Sequence, residues 1–185
     1  MDQIVFVSHC ILNTASKVVL YDLSAAGAEE ALRLRFVSVA LDKGIQLIQL
    51  PCPEFTLYGA NRWGHVSNQF DTPFFRNHCR RILEPFILQL KEYLQHPERF
   101  KILGIVGIDG SPSCGVDYTC YGDWYGSFEE RKDLEGTLST ARLGDGMGVF
   151  MHELADLLQA EGLADQVPLR SLYADEPHKC MDLLG

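Results

Sequence analysis

The chain has 185 residues, 46% hydrophobic and 22% charged, a composition that can bury a real core. Its net charge is −9. That acid excess argues against a nucleic-acid polymer as partner, which would want clustered Lys and Arg, but leaves a single nucleobase open as a small substrate.

The N-terminus runs straight into Ile4-Val5-Phe6-Val7. No basic stretch precedes that run, and it is too short for a signal peptide or a membrane span. We therefore expect a cytoplasmic protein with no membrane association. Residues 3–8 read as the first strand, ending at His9 and Cys10. Ser24 is the expected N-cap of a helix over 25–43 that carries Ala28, Leu32, Phe36, Val39 and Leu41. Residues 45–50 form the second strand and end at Pro51-Cys52-Pro53-Glu54. Residues 53–71, with Tyr58, Trp63 and His65, have no clear period and read as a long loop.

Asp71-Thr72-Pro73 is a good helix start, and Phe75, Cys79, Ile82, Phe86, Leu90 and Tyr93 recur at helical spacing up to residue 95. Pro85 interrupts this pattern and predicts a kink or two helices. Residues 102–108 form the third strand, followed by Asp109-Gly110-Ser111-Pro112-Ser113-Cys114-Gly115. Residues 115–146, rich in Gly, Asp and aromatics, read as a second long loop. A helix over 147–161 presents Met147, Phe150, Met151, Leu154, Leu157 and Leu158 on one face, and 167–173 is a weaker strand. Alternating strands and helices predict a single three-layer α/β domain over residues 1–185. Its sheet is mostly parallel, flanked by helices and Rossmann-like, with the site at the carboxyl ends of the strands.

Three of the six cysteines, Cys10, Cys52 and Cys114, each follow one of the three strongest strands. The fold would therefore gather residues that are remote in sequence. Three thiolates at one point need a cation, and soft sulfur ligands select zinc, copper(I) or iron–sulfur clusters. An iron–sulfur cluster held by three cysteines leaves one iron with an exchangeable position. Two rivals remain at this level: a cluster-bearing sulfide carrier or sensor without turnover, and a three-cysteine zinc hydrolase. The bland alternative is buried thiols acting as small hydrophobes. Cys79 fits the apolar stripe of its helix. Cys120 is a spare ligand or a loop residue, and Cys180, beside His178 in a polar tail, is expected to be exposed. No CxxC pair occurs, which argues against thioredoxin-like and zinc-ribbon chemistry.

Glu54, two residues past Cys52, is a candidate acid or base. Ser111 and Ser113 are candidates to hydrogen-bond a substrate, or simple turn formers. Ser8, His9 and Asn13 surround Cys10, and His9 is a candidate donor to the centre or a substrate, or a structural histidine. Gly144-Asp145-Gly146-Met147-Gly148 would let backbone N–H groups approach a ligand at a helix N-terminus. The loop aromatics Tyr58, Trp63, Tyr118, Tyr121, Trp124 and Tyr125 are available to stack on a flat heterocycle. Neither dinucleotide nor P-loop glycine motifs nor a nucleophile elbow is present.

The segments Val7-Ser8-His9-Cys10-Ile11-Leu12-Asn13, Pro51-Cys52-Pro53-Glu54 and Gly110-Ser111-Pro112-Ser113-Cys114-Gly115 resemble, in type and order, the 2-thiouracil desulfidase family, and more closely its branch of related desulfidases. The resemblance implies a [4Fe–4S] cluster on Cys10, Cys52 and Cys114, with the free iron binding a thiocarbonyl sulfur. It implies Glu54 as proton donor and water activator, and Ser111 or Ser113 as the family's serine. The implied reaction replaces C=S by C=O in a small thiolated heterocycle or thioamide-like substrate, with release of sulfide and no net redox change. The core family carries a second cysteine and an Arg-Tyr-Asp-Gly stretch after its first cysteine; here Asn13-Thr14-Ala15-Ser16-Lys17-Val18 stands there. The family's glycine-rich segment after PCPE is replaced by Phe55-Thr56-Leu57-Tyr58-Gly59. Both departures fall where substrate would be contacted.

Overall fold

The computed structural model describes residues 1–21 and 24–185. Its centre is a four-stranded parallel sheet of β1 (Asp2–Val7), β2 (Gln46–Gln49), β3 (Phe100–Ile108) and β6 (Leu169–Leu172), in the order β2-β1-β3-β6. β1 shows why the strands read clearly. Ile4 and Phe6 point into one core and Val5 and Val7 into the other, all nearly inaccessible, so the strand is apolar on both faces. On the first face lie α5 (Pro73–Leu94) and α7 (Val149–Ala160). On the second lie α2 (Ser24–Asp42) and α8 (His178–Met181). The chain thus has the three-layer, Rossmann-like α/β architecture that the alternation of elements predicts.

The helix starts follow the capping chemistry. Thr72 Oγ1 accepts the Phe75 N–H at 3.2 Å, with Pro73 in the first turn. α2 begins at Ser24 itself, and capping by the Ser24 side chain lies outside the described residues. Its buried positions are Leu32, Phe36 and Ala40, whereas Leu41, one residue round the helix, is exposed.

Four expectations are corrected. α5 is one helix through Pro85 and not two. The lost N–H is outweighed by the buried positions on both sides of it, Phe75, Cys79, Leu83, Ile87 and Leu90. Residues 53–71 are not a plain loop: α3 (Pro53–Tyr58) and α4 (Ser67–Phe70) occupy part of them, both too short to show a helical period. Residues 115–146 contain β4 (Tyr118–Tyr121), α6 (Leu134–Leu138) and β5 (Arg142–Asp145), with β4 and β5 pairing antiparallel. Cys180 is not exposed but sits in the second core, because the turn of α8 aims it inward while Lys179 faces Asp117 and Glu176.

The sheet order reverses between β1 and β3, which is where an open parallel sheet forms a crevice beyond its strand ends. β3 carries a bulge opposite Ile4 and Val5. There Gly104 has φ 153°, and a Cβ would come within 2.6 Å of the Pro168 carbonyl oxygen. No helix among the described residues is long and apolar enough to cross a membrane.

Candidate functional site

A cavity of about 320 Å³ lies in that crevice, and Cys10, Cys52 and Cys114 all line it. Each cysteine is positioned differently. Cys10 lies in α1 (His9–Leu12), a single turn after β1, and its loop is tied to β2 by Gln49 Nε2 donating to the His9 carbonyl at 2.8 Å. Cys52 is the N-cap of α3, and its Sγ accepts the Phe55 N–H at 3.3 Å. Cys114 sits in a tight loop that folds back on β3, where Ile108 N–H donates to the Cys114 carbonyl at 2.8 Å.

That loop is held from within. Asp109, almost fully buried, accepts through Oδ1 from the N–H groups of Val116 (2.8 Å), Asp117 (3.0 Å) and Tyr118 (3.2 Å). A carboxylate collecting three backbone donors freezes the turn they belong to. Close packing does the rest. A Cβ on Gly107 would overlap the Cys114 carbonyl, one on Gly115 the Tyr118 carbonyl, and one on Gly148 the Ser113 backbone. Of the glycines before α7, Gly148 therefore serves the loop, while Gly144 and Gly146 lie against the Tyr121 side chain. The N–H groups of Val149, Phe150 and Met151 are already taken by the carbonyls of Pro112 and Ser113 at 2.9–3.2 Å. This corrects the reading of Gly144–Gly148 as a free ligand-binding helix terminus.

The thiols influence one another. The interaction with Cys52 raises the pKa of Cys10 well above the usual thiol range, and burial and the nearby Cys114 add to this. The interaction with Cys10, with help from the Phe55 N–H, lowers Cys52 to about 7 against the effect of burial. Burial pushes Cys114 up to about 12, offset in part by hydrogen bonding from Ser113. Ser8 Oγ is near enough to Cys114 to ease its ionisation, yet it is buried without a partner in ordinary hydrogen-bond geometry.

Ser113 and Glu54 meet in this cavity. Ser113 Oγ donates to Glu54 Oε1 at 2.6 Å, and Arg62 Nε donates to Glu54 Oε2 at 3.1 Å. Arg62 is nearly inaccessible and also donates to the carbonyls of Gly59 (3.2 Å) and Ser16 (2.7 Å). Ser111 plays a different part: its Oγ accepts from the N–H of Cys114 at 3.0 Å and of Ser113 at 3.4 Å. That is turn chemistry. His9 lines the cavity, as do Lys17, which is paired with Glu29, and His65. Burial lowers the pKa of His65, and its Nδ1 lacks a partner.

Besides Cys180, two further cysteines do not line the cavity. Cys79 is fully buried within α5, where burial raises its pKa. Cys120 lies on β4 and does not line the cavity. Sequence reasoning missed Arg62, because an acid and a base eight residues apart in a stretch without period carry no pairing signal. It also left Lys17 unassigned.

Three soft sulfur donors lining one cavity are a ligand set of the kind that zinc, copper(I) or an iron–sulfur cluster takes. Among the described residues, the one set of three potential ligand atoms within 4.8 Å of each other is His152, Glu153 and Asp156 on α7. There the fully buried Glu153 already pairs with Arg76 at 2.6 Å and with Arg80.

Fold and site together define a Rossmann-like α/β protein with a thiol-lined cavity at the sheet's switch point. The chain is 33% identical over 114 residues to the uncharacterized protein MJ0003 of Methanocaldococcus jannaschii, a match covering 62% of this chain and 68% of that one. It belongs to the family of that archaeal protein. No family model matches the chain. No solved structure matches it either.

Proposed function

We propose that the protein is a desulfidase of the 2-thiouracil desulfidase type, replacing C=S by C=O in a small thiolated heterocycle or thioamide-like compound. The observation that carries this reading is the convergence of three thiols from three strand ends on one cavity that also holds the Ser113–Glu54–Arg62 chain. Cys10, Cys52 and Cys114 would hold a [4Fe–4S] cluster. Its chemistry when bound would be Lewis acidity, at the iron without a protein ligand, toward a thiocarbonyl sulfur.

The chain's own residues supply the rest. Ser113 and Arg62 fix both oxygens of the Glu54 carboxyl, so it is oriented before substrate arrives. Glu54 takes a proton from the water that attacks the thiocarbonyl carbon. It then delivers that proton to the departing sulfur. The second proton of that water passes to Glu54 as the water oxygen becomes the carbonyl oxygen, and the sulfur leaves as hydrosulfide with its electron pair, so no oxidant or reductant is needed. The buried, partnerless Ser8 hydroxyl beside Cys114 would serve as a donor to sulfur at the centre. A cytoplasmic setting is part of the same reading, because a reducing compartment keeps such thiols free to take a cluster.

The test is anaerobic reconstitution with iron and sulfide, followed by iron and acid-labile sulfide analysis and turnover of 2-thiouracil and related thioamides. We expect close to four irons per chain in the parent, loss of cluster in Cys114→Ser, and an intact cluster with at least about a hundredfold lower turnover in Glu54→Gln. Stoichiometric zinc without iron would overturn the reading. So would full turnover by Glu54→Gln. A sulfide carrier would bind sulfide equally well with or without Glu54.

A further inference from the structure

A second cavity of about 260 Å³ adjoins the first and shares Gly64 and His65 with it. Its wall is aromatic, built from Trp63, Trp124, Tyr125 and Phe128. Both tryptophans of the chain are here. Core packing does not account for them, since Trp63 is 74%, Tyr125 78% and Phe128 59% exposed. Large aromatic groups kept in water around a concavity mark a binding surface.

Polar groups within this wall are unsatisfied. Trp124 Nε1 and His65 Nδ1 are both buried without a partner. A buried indole N–H ordinarily finds an acceptor. The lone charged residue of the lining is Arg131. It lies 5.8 Å over the Tyr125 ring and donates to the Tyr125 carbonyl and to Thr137 Oγ1. A guanidinium has five N–H donors, so three are left for a guest. In a chain of net charge −9, a cavity whose lone charge is a guanidinium is built for an acid.

We infer that this cavity is a subsite for a planar aromatic carboxylate. The ring packs among the four aromatic side chains, and the carboxylate pairs with Arg131. Continuity through Gly64 and His65 makes it the place for the remote end of a substrate whose reacting end lies beside Glu54. Only that assignment rests on the proposed function; binding of an aryl acid does not. Binding energy from a remote group can be used to orient the reacting one.

The two tryptophans make the test direct. The full-length chain is titrated with benzoate and with neutral benzamide, and tryptophan fluorescence is read. We expect saturable binding of benzoate, on the order of tenfold weaker binding of benzamide, and loss of that preference in Arg131→Gln. Phe128→Ala, a change at an exposed position, should weaken both by about three- to tenfold. Cys114→Ser should bind benzoate like the parent, so a failure of the cluster reading leaves this result standing. Equal affinity for the two probes, no saturable change, or an unaffected Phe128→Ala would overturn the subsite. So would sedimentation showing self-association that buries the tryptophans, which would assign the surface to a second copy of the chain.

Discussion

Ser111 and Ser113 flank the same proline, and their hydroxyls lie 3.4 Å apart but have different further partners. Ser113 Oγ donates to the Glu54 carboxyl, whereas Ser111 Oγ collects the backbone N–H groups of Ser113 and Cys114. Ser113→Ala should therefore keep cluster content and lower turnover by about ten- to a hundredfold, as measured in steady-state assays of reconstituted protein. Ser111→Ala should act on the loop, costing about 1–2 kcal/mol of stability in a denaturant titration. The sequence alone could not separate the two serines, because what decides is Glu54, a residue from another strand end. The cysteines were easier to read, since strand ends are local and the thiols follow them directly. Cys180 was misread for the opposite reason: its neighbours Lys179 and Asp182 are polar, while one turn of helix turns its sulfur into the core, where burial raises its pKa to about 11.

The loop 109–115 and the start of α7 form one unit at the scale of elements. The helix spends its first N–H groups on the loop carbonyls, and Gly148 allows the two backbones to touch. Gly148→Ala should force Ser113 away from Glu54, lowering both the melting temperature and turnover, with the loss of turnover the larger. The junction of α4 and α5 behaves as an electrostatic clip. Asp71 bonds Arg76 Nε at 2.6 Å, and that pairing holds its pKa below the usual carboxylate value. A lowered native pKa contributes stability above the unfolded value and loses it as pH falls through the native one. The stability difference between parent and Asp71→Asn, followed by thermal melts, should be largest above about pH 5 and shrink as pH falls below the ordinary carboxylate range. Asp71 is more than half exposed, so the difference will be modest and will shrink with salt. The main strands and long helices were legible because their apolar positions repeat. The β4–β5 pair and the helices α3 and α4 were not, since elements of four to six residues are shorter than the patterns that reveal them.

The whole molecule turns one topological fact, the reversal of strand order between β1 and β3, into a site built from three loops that never meet in sequence. A ligand that bridges such loops binds the folded chain and not the unfolded one. Reconstituted protein should therefore melt higher than metal-free protein in calorimetry, and the gap should disappear in Cys114→Ser. The metal-free form should nevertheless fold, because Asp109 ties down the turn that presents Cys114 with three bonds of its own. Small metal-dependent domains collapse when stripped, since the ion is their core. If the proposed cluster is the ligand, these bonds hold the scaffold in place without it, so loss of the inorganic part to oxygen would leave a shaped receptacle that can be refilled without unfolding the chain.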